Sequence, residues 1–388
     1  MAQEGRGEVV PETFLYRGAD LAAVAKRISS GDQRLAAAVS RLQDEADSAL
    51  TKGPFSVVNK PMLAPSGDRH DYFSHAIYVW PDPNKPDGLP WRYHDGRPNP
   101  EARKYDKGWL DELASASETL SLAGYLLGER KYSDRAALLI QTWFIAPETR
   151  QNPHFKYADV TPGKPDSGGP LITMSLTLPR IVESTQLLKA VGSWPEEDER
   201  ALQKWFSEYL EWAEGTPYVA HNRKKNHNHI THYDLQAITI YRYIGRDDVA
   251  RVRVEAVAGH QIAGQILPTG EMPQETRRTK SKDYTIMNLR GLMELAELER
   301  PLGVDLWSFR TDDGRCIRAA LDYLVHHLNG DRPWPHEQIE PSNPDKLIPV
   351  LHLASRAWND PEYEQILRKL VAEGEVRSHR VNLLFPRQ

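Results

Sequence analysis

Apolar positions recur at helical spacing along most of the chain. In residues 109–128, leucines and alanines are separated by three, four and seven positions, which places them on one face of an α-helix. Comparable apolar stripes predict further helices at residues 134–146, 178–190, 198–213, 233–244, 247–266, 284–298, 316–328 and 347–357. With the N-terminal segment 19–51, the pattern predicts at least ten helices and no alternating strand longer than a few residues.

Two short segments indicate how successive helices are joined. Residues 125–137 and residues 243–252 each contain an aromatic residue, a glycine, a short charged turn and the start of a new helix. Gly128 and Gly245 occupy the position where a left-handed glycine commonly ends a helix. Short turns of this kind join antiparallel hairpins. We therefore predict an all-α fold whose hairpins form an α/α toroid, an incomplete barrel, with an open solenoid or a plain bundle as the alternative.

The composition narrows the class of protein. Of the 388 residues, 40% are hydrophobic and 27% are charged, which is typical of a globular protein. No apolar stretch approaches the roughly 18 residues of a membrane span. Lys and Arg number 49 against 54 Asp and Glu, a net charge of −5, which argues against a strongly basic nucleic-acid binder. We expect neither nucleic acid nor membrane as a partner, and the oligomeric state stays open.

Proline and glycine cluster at residues 81–100, 161–170 and 329–345, together with aromatic and charged residues. Such clusters are typical of long structured loops rather than of linkers between domains. We expect a single α/α-toroid domain over residues 1–388, with 1–20 as a poorly ordered extension. The N-terminus has neither the basic start nor the apolar core of a signal peptide. The protein is therefore either cytoplasmic or the mature form of a secreted or periplasmic protein.

The first candidate site lies in residues 221–236, where histidines, asparagines and basic residues precede an apolar helix. One interpretation is a solvated loop that caps the helix. Another is a zinc site, because His229 and His232 are three residues apart and His227 is close. The only cysteine, Cys316, is distant in sequence and no HExxH pattern is present, so we do not favour a metal.

The second candidate site lies in residues 271–288. Four cations fall within six residues (Arg277, Arg278, Lys280 and Lys282), and Tyr284 then opens a helix. In a protein of negative net charge, so concentrated a basic cluster indicates a site for an anionic ligand.

Together the two segments offer the groups needed to eliminate a sugar from a uronic acid. Arg and Asn can neutralise the carboxylate, a base removes the adjacent proton, and an acid protonates the departing oxygen. Glycoside hydrolysis would instead need two placed carboxylates. Glu271, Glu275, Asp234 and Asp283 are candidates, but no pair stands out. A protein that binds an acidic glycan without cleaving it is a third alternative.

The chain resembles the alginate lyase family of polysaccharide lyases, which has the α/α-toroid fold. The resemblance rests on HNHITHYDLQ at residues 227–236 and on the basic segment 275–284. Residues 71–83 and the Pro-Trp-Pro at 333–335 are also similar to family stretches. The matches extend over about residues 55–340. The resemblance implies a lyase that cleaves a polyuronate, alginate-like or glucuronan-like, by β-elimination.

The family pattern also implies roles for individual residues. Asn228 and Arg278 would neutralise the substrate carboxylate, with Arg277 as the alternative because the register is ambiguous by one residue. His229 would be the base for at least one epimer. Tyr284 would be the acid, and also the base in a syn elimination. No metal or other cofactor is expected, because Arg and Asn take the place of an ion.

The remaining expected site residues are cations and aromatic residues beside these motifs. The expected substrate-binding residues are Lys225, Arg277, Lys280, Tyr72, His75, Trp80, Tyr157 and Trp334. Four features depart from the family pattern: Ile230 replaces Gly, His232 replaces Trp, Lys-Asp precedes Tyr284, and residues 164–170 replace a Gly-Arg-Gly-rich stretch. These departures leave the choice among mannuronate, guluronate and glucuronate polymers open.

Overall fold

The architecture is almost entirely helical in a computed structural model, which describes residues 9–164, 177–298, 302–328 and 332–386. The first helices are α1 (Gly18–Ser29), α2 (Ala36–Ala49), α3 (Asp106–Leu127), α4 (Arg130–Phe144), α5 (Leu178–Ala190), α6 (Glu196–Glu214), α7 (Pro217–Lys225) and α8 (Asn228–Tyr243). They are followed by α9 (Asp247–Val257), α10 (Pro273–Thr276), α11 (Ser281–Leu298), α12 (Ile317–His326), α13 (Leu347–Trp358), α14 (Glu362–Leu370), α15 (Glu373–Ser378) and α16 (Val381–Leu384).

These helices form the predicted toroid. Helices α3, α5, α8, α11 and α13 pack one against the next as an inner wall. Helix α16 contacts both α13 and α1, and α1 contacts α3, so the wall closes on itself. Helices α4, α9, α12 and α14 each pack against the preceding inner helix. One hydrophobic core runs through the ring from Leu15 to Phe385.

The glycine positions explain two of the tight helix connections. Gly128 ends α3 with a φ of 72°, and Gly245 follows α8 with a φ of 77°. Both lie in the left-handed region that residues with a Cβ rarely adopt, which confirms the predicted helix ends. The predicted segment 19–51 is divided into α1 and α2 by a turn at Gly31, where φ is 78°. The helix predicted at 247–266 contains a π-helical turn at Ala258–Ile262.

Four short strands lie outside the helical wall. Strand β1 (Phe73–His75) pairs in parallel with β4 (Tyr157–Val160), and β2 (Val79–Trp80) pairs antiparallel with β3 (Arg92–Tyr93). The β2–β3 hairpin spans most of the Pro/Gly-rich segment that sequence analysis predicted as a structured loop. None of the described helices is long and apolar enough to cross a lipid bilayer.

Candidate active site

The two candidate segments meet where two inner helices begin. Asn228 is the first residue of α8, and Tyr284 lies in the first turn of α11. The connection between α10 and α11 carries Arg278 to the same place, where it bonds to Tyr284. The N-terminal end of a helix carries partial positive charge and unpaired N–H groups, so this edge of the toroid favours an anionic ligand.

Arg278 contacts Tyr284 through both the ring and the hydroxyl. The guanidinium carbon lies 3.7 Å from the centroid of the Tyr284 ring. Nη2 of Arg278 donates a 2.8 Å hydrogen bond to the tyrosine hydroxyl. Nε of Arg278 lies 3.2 and 3.1 Å from the two carboxylate oxygens of Asp95, so the guanidinium is held from two sides. Nη1 has no hydrogen-bond partner among the described residues.

The β2–β3 hairpin supplies three residues that sequence analysis did not assign to the site. The Tyr284 hydroxyl lies 2.9 Å from the hydroxyl of Tyr78. Asp95 also accepts hydrogen bonds from the N–H of Thr279, at 3.0 Å, and from the hydroxyl of Tyr93, at 2.8 Å. The only sequence signal for them is that residues 78 and 95 lie within or beside the stretches that resemble the family.

Burial and hydrogen bonding shift the ionisation of these groups in opposite directions. Burial raises the pKa of Tyr284 well above its usual range; Tyr78 adds to the increase and Arg278 opposes it. Burial alone would also raise the pKa of Asp95, but hydrogen bonds from Arg278, Thr279 and Tyr93 hold it well below its usual range. At neutral pH the site therefore holds a protonated Tyr284 beside an ionised Asp95.

Asn228 is anchored from behind by a carboxylate. Its side chain is buried, and Nδ2 donates a 2.6 Å hydrogen bond to Oε2 of Glu275. The backbone N–H of Asn228 donates to Oε1 of the same residue at 2.9 Å. Oδ1 of Asn228 is buried and has no hydrogen-bond partner in the described part of the chain. From the sequence, Glu275 was a candidate carboxylate for hydrolysis and the first residue of the family-like segment 275–284, without a role in binding Asn228.

His229 follows Asn228 and is held as a neutral imidazole. Burial lowers its pKa well below 6.5, and the neighbouring His227 and Arg278 add to the decrease. The rings of His227 and His229 are 4.5 Å apart between centroids. Burial and nearby cations also lower the pKa of His227, to about 4. A neutral histidine can accept a proton at neutral pH, as a general base must.

Of four predicted substrate-binding residues near the strands, two are buried and two are half-buried. Tyr72 is fully buried and packs edge-on against Phe155, 4.9 Å between centroids, so it belongs to the core and does not line a cleft. His75 is also buried, among rings that include Tyr105. Trp80 is half-buried, with Nε1 bonded to a loop carbonyl. Tyr157 is half-buried in β4.

The other predicted binding residues lie near the start of α11 or on the surface. Trp334 donates from Nε1 to the hydroxyl of Ser281, the first residue of α11, at 2.7 Å. Lys280 is paired with Glu340 at 2.5 Å. Lys225 and Arg277 are exposed. Of the two adjacent arginines, Arg278 is the one that contacts Tyr284.

A sequence model of the family described as alginate lyase matches residues 56–334, more than half of the chain. The chain belongs to the alginate lyase family. It is therefore a polysaccharide lyase, as the sequence resemblance predicted, and it acts on a polysaccharide. A search of curated protein sequences found no match.

Solved structures of alginate lyases agree with this membership. An alginate lyase from Bacteroides ovatus is 32% identical, with 97% of this chain and 99% of that chain covered and a TM-score of 0.90. Alginate lyase A1-III from Sphingomonas species A1 has the same fold at 16% identity, with 98% of each chain covered and a TM-score of 0.55. A Tyr→Phe variant of A1-III in complex with a tetrasaccharide is 15% identical to this chain, with 98% of each chain covered and a TM-score of 0.62.

Two of the departures from the family signature lie in the protein interior. Ile230 is fully buried in the core. His232 is 1% exposed, and a Cβ added to Gly291 of α11 would lie 2.8 Å from its ring, so His232 packs between the two helices. A histidine buried in this way is not available to stack on a sugar ring. Residues 165–170 of a further departure lie outside the described residues.

The carboxylates considered for hydrolysis have structural partners. Asp234 is bonded to Arg223, at 2.9 Å, and to Arg253, at 3.2 Å. Asp283 anchors the loop that follows Trp334, accepting from Lys346 at 2.6 Å. Within the described ranges, no group of three or more His, Cys, Asp or Glu is arranged to hold a metal ion. The zinc interpretation of the histidine cluster thus has no support from the geometry.

Proposed function

We propose that this lyase cleaves a polyuronate by β-elimination, with Asn228, His229, Arg278 and Tyr284 as its catalytic residues. The observation that carries the proposal is the contact of the Arg278 guanidinium with both the ring and the hydroxyl of Tyr284. Such an arrangement suits a site where charge develops on the tyrosine oxygen next to a bound carboxylate. The same arrangement would have no evident use in hydrolysis.

The substrate carboxylate would bind between Arg278 and Asn228. Nη1 of Arg278 and the second hydrogen of the Asn228 amide are the available donors. The start of α8 adds its partial positive charge. Neutralising the carboxylate lowers the cost of the enolate-like intermediate, and removing one such preorganised donor typically costs a factor of about 10² to 10³ in rate.

His229 would take the proton adjacent to the carboxylate. Its lowered pKa keeps it neutral at the pH where a base is needed. Tyr284 would protonate the departing glycosidic oxygen, because its raised pKa keeps the hydroxyl protonated. The phenolate left behind would be stabilised by Arg278. The high pKa favours Tyr284 as acid over Tyr284 as base, so His229 as base is the assignment we propose.

Alginate is the substrate we propose first, because the Bacteroides ovatus relative at 32% identity is described as an alginate lyase. The exposed cations Lys225 and Arg277 suit an anionic polymer. A glucuronan-like polymer differs from polymannuronate in the configuration of its sugars, so it is included in the test below. We also propose that the whole chain forms one catalytic domain. A polysaccharide substrate is encountered outside the cytoplasm, and we propose that the protein acts there.

The test is absorbance of the unsaturated uronate product during incubation with polymannuronate, polyguluronate, glucuronan and neutral glycans. We expect rising absorbance with an alginate polymer and none with the neutral glycans, with and without a chelator. New reducing ends without absorbance would instead indicate hydrolysis. Binding without any product would leave only a glycan-binding role. Loss of activity with chelator would revive a metal site.

A further inference from the structure

Glu275 lies behind the proposed carboxylate site with both side-chain oxygens engaged by one residue. It is completely buried at the end of α10. Oε1 accepts the backbone N–H of Asn228 at 2.9 Å, and Oε2 accepts the Asn228 side-chain amide at 2.6 Å. A buried carboxylate is costly unless its oxygens are satisfied, so this pairing is a defined feature of the site.

Glu275 is also connected to the arginine of the site. Its backbone carbonyl accepts the N–H of Arg278 at 3.1 Å. The side chain of Glu275 therefore fixes Asn228, and its main chain fixes the residue that carries the guanidinium. The two groups that would neutralise the substrate carboxylate come from different segments of the chain, and Glu275 joins them.

We infer that Glu275 is a positioning residue for the elimination, which orients the Asn228 amide so that an N–H faces the substrate carboxylate. This inference rests on the proposed function. A carboxylate suits the task because it only accepts hydrogen bonds, so it forces the NH₂ side of the amide toward itself. Without that constraint the amide can turn and present Oδ1, which would repel the substrate carboxylate.

The surroundings make this arrangement sensitive to pH. Burial raises the pKa of Glu275 to about 7, while the hydrogen bonds from Asn228 and the charges of Arg278 and Arg277 limit the increase. Across the site, His227, which caps α8, and His229 in its first turn are held neutral, and Asp95 beside the hairpin is paired with Arg278. Protonation would convert one acceptor into a donor. We therefore expect kcat/KM to fall as the pH drops below about 7.

The test compares Glu275→Gln with Glu271→Gln, alone and in an Asn228→Ala background. Glutamine is nearly isosteric with Glu275, but its NH₂ group would face one of the two N–H donors of Asn228. Glu271 is a matched control because its carboxylate accepts from Thr276 and does not touch Asn228. We expect Glu275→Gln to lower kcat/KM about ten- to a hundredfold, in line with the cost of leaving one buried donor unpaired. Glu271→Gln should leave it unchanged.

Two further readouts separate positioning from a merely structural role. In the Asn228→Ala background, Glu275→Gln should have less than about a twofold further effect, because the residues act as a unit. The acid-side loss below pH 7 should disappear in Glu275→Gln. Multiplicative effects of the two changes, or an unchanged acid limb in Glu275→Gln, would overturn the inference.

Wild-type product formation is measured first at pH 8. If no variant and no wild-type sample gives unsaturated product, the proposed function fails and this inference with it. If the wild type is active and Glu275→Gln matches it, only the inference fails. If Glu275→Gln does not fold, the dependence of the wild-type kcat/KM on pH tests the inference instead. A reversible loss of kcat/KM near pH 7 with unchanged circular dichroism supports the inference, and a flat profile between pH 8 and 6 overturns it.

Discussion

The guanidinium of Arg278 touches Tyr284 twice, 3.7 Å from the ring centroid and 2.8 Å from Nη2 to the hydroxyl. Asp95, 183 residues earlier in the chain, accepts hydrogen bonds from Nε and Nη2 of the same guanidinium. A cation fixed by an ionised partner does not need to reorganise when the tyrosine gives up its proton. This is the preorganised stabilisation that lowers a barrier most effectively.

The hydroxyl of Tyr284 should therefore be indispensable, while its ring should matter for packing. We expect Tyr284→Phe to lower kcat by a factor of about 10² to 10⁴, the usual contribution of a general acid. The phenyl ring still stacks under the guanidinium, so folding should be retained. The measurement is the initial rate of absorbance increase on the best polymer, with thermal unfolding as a check.

Tyr93→Phe is the matched control for this change. The Tyr93 hydroxyl also lies near Nη2 of Arg278, at 3.3 Å, and donates to Asp95. It does not touch Tyr284 and its side chain is 61% exposed. Its loss should cost much less than the loss of the Tyr284 hydroxyl. Equal effects of the two substitutions would show that the hydroxyls only support Arg278, and would remove the acid role from Tyr284.

The two adjacent arginines should respond differently to the same conservative substitution. Arg278→Lys keeps the charge but loses the planar fork that reaches Asp95 and Tyr284 together, so we expect kcat/KM to fall about 10²- to 10³-fold. Arg277→Lys keeps the charge of an exposed residue and should change kcat/KM little. Steady-state kinetics of both variants decide which arginine neutralises the substrate carboxylate. A larger loss of kcat/KM in Arg277→Lys than in Arg278→Lys would assign that role to Arg277.

Much of the wall of the toroid could be predicted from the sequence, because its helices bury apolar stripes. The helical period of residues 284–298 predicted α11 over nearly its full length. Gly128 and Gly245 predicted helix ends because few other residues adopt their backbone conformation. The two candidate segments were noticed for a related reason: unusual polar residues at the start of an apolar helix stand out.

The hairpin contribution could not be predicted in the same way. Tyr78, Tyr93 and Asp95 belong to strands of two residues or to loops, where periodicity carries no information. Tertiary packing alone brings Tyr78 to Tyr284, and Tyr93 and Asp95 to Arg278. Tyr72 is the opposite case. It lies next to β1 in a family-like stretch and was expected to bind substrate, but it packs into the core against Phe155. A tyrosine in an irregular segment can be core or cleft, and the sequence does not distinguish them.

Tyr78 should tune the ionisation of Tyr284. The Tyr78 oxygen accepts the hydrogen of the neutral Tyr284 hydroxyl and so contributes to its raised pKa. Removing that acceptor in Tyr78→Phe destabilises the neutral form, so the pKa of Tyr284 should decrease. An acid must be protonated, and the alkaline loss of kcat should therefore begin at lower pH than in the wild type. The measurement is a kcat profile carried to the highest pH at which both proteins keep their circular dichroism; an alkaline loss that begins at higher pH in Tyr78→Phe would contradict the prediction.

The glycine after Asp95 should be required for activity, although it has no side chain to contribute. Gly96 has a φ of 69°, and a Cβ there would lie 2.5 Å from Oγ1 of Thr279. Gly96→Ala must therefore move either the hairpin or the Thr279 side chain, whose hydroxyl bonds to Asp95, and either movement disturbs the support of Arg278. Gly67→Ala is the matched control, since Gly67 has a φ of 78° but a Cβ there would meet nothing within 4 Å.

Both alanine variants introduce the same kind of backbone strain, about 1 kcal/mol or somewhat more. Their melting temperatures should therefore decrease by similar amounts if Gly96→Ala is accommodated by movement of the hairpin. Only Gly96→Ala should lose activity, because only there does the movement withdraw Asp95 from Arg278. We expect kcat/KM of Gly96→Ala to fall much further than its stability alone explains. Equal activity of the two variants would mean that the guanidinium keeps its place without Asp95, and that the start of α11 alone orients it.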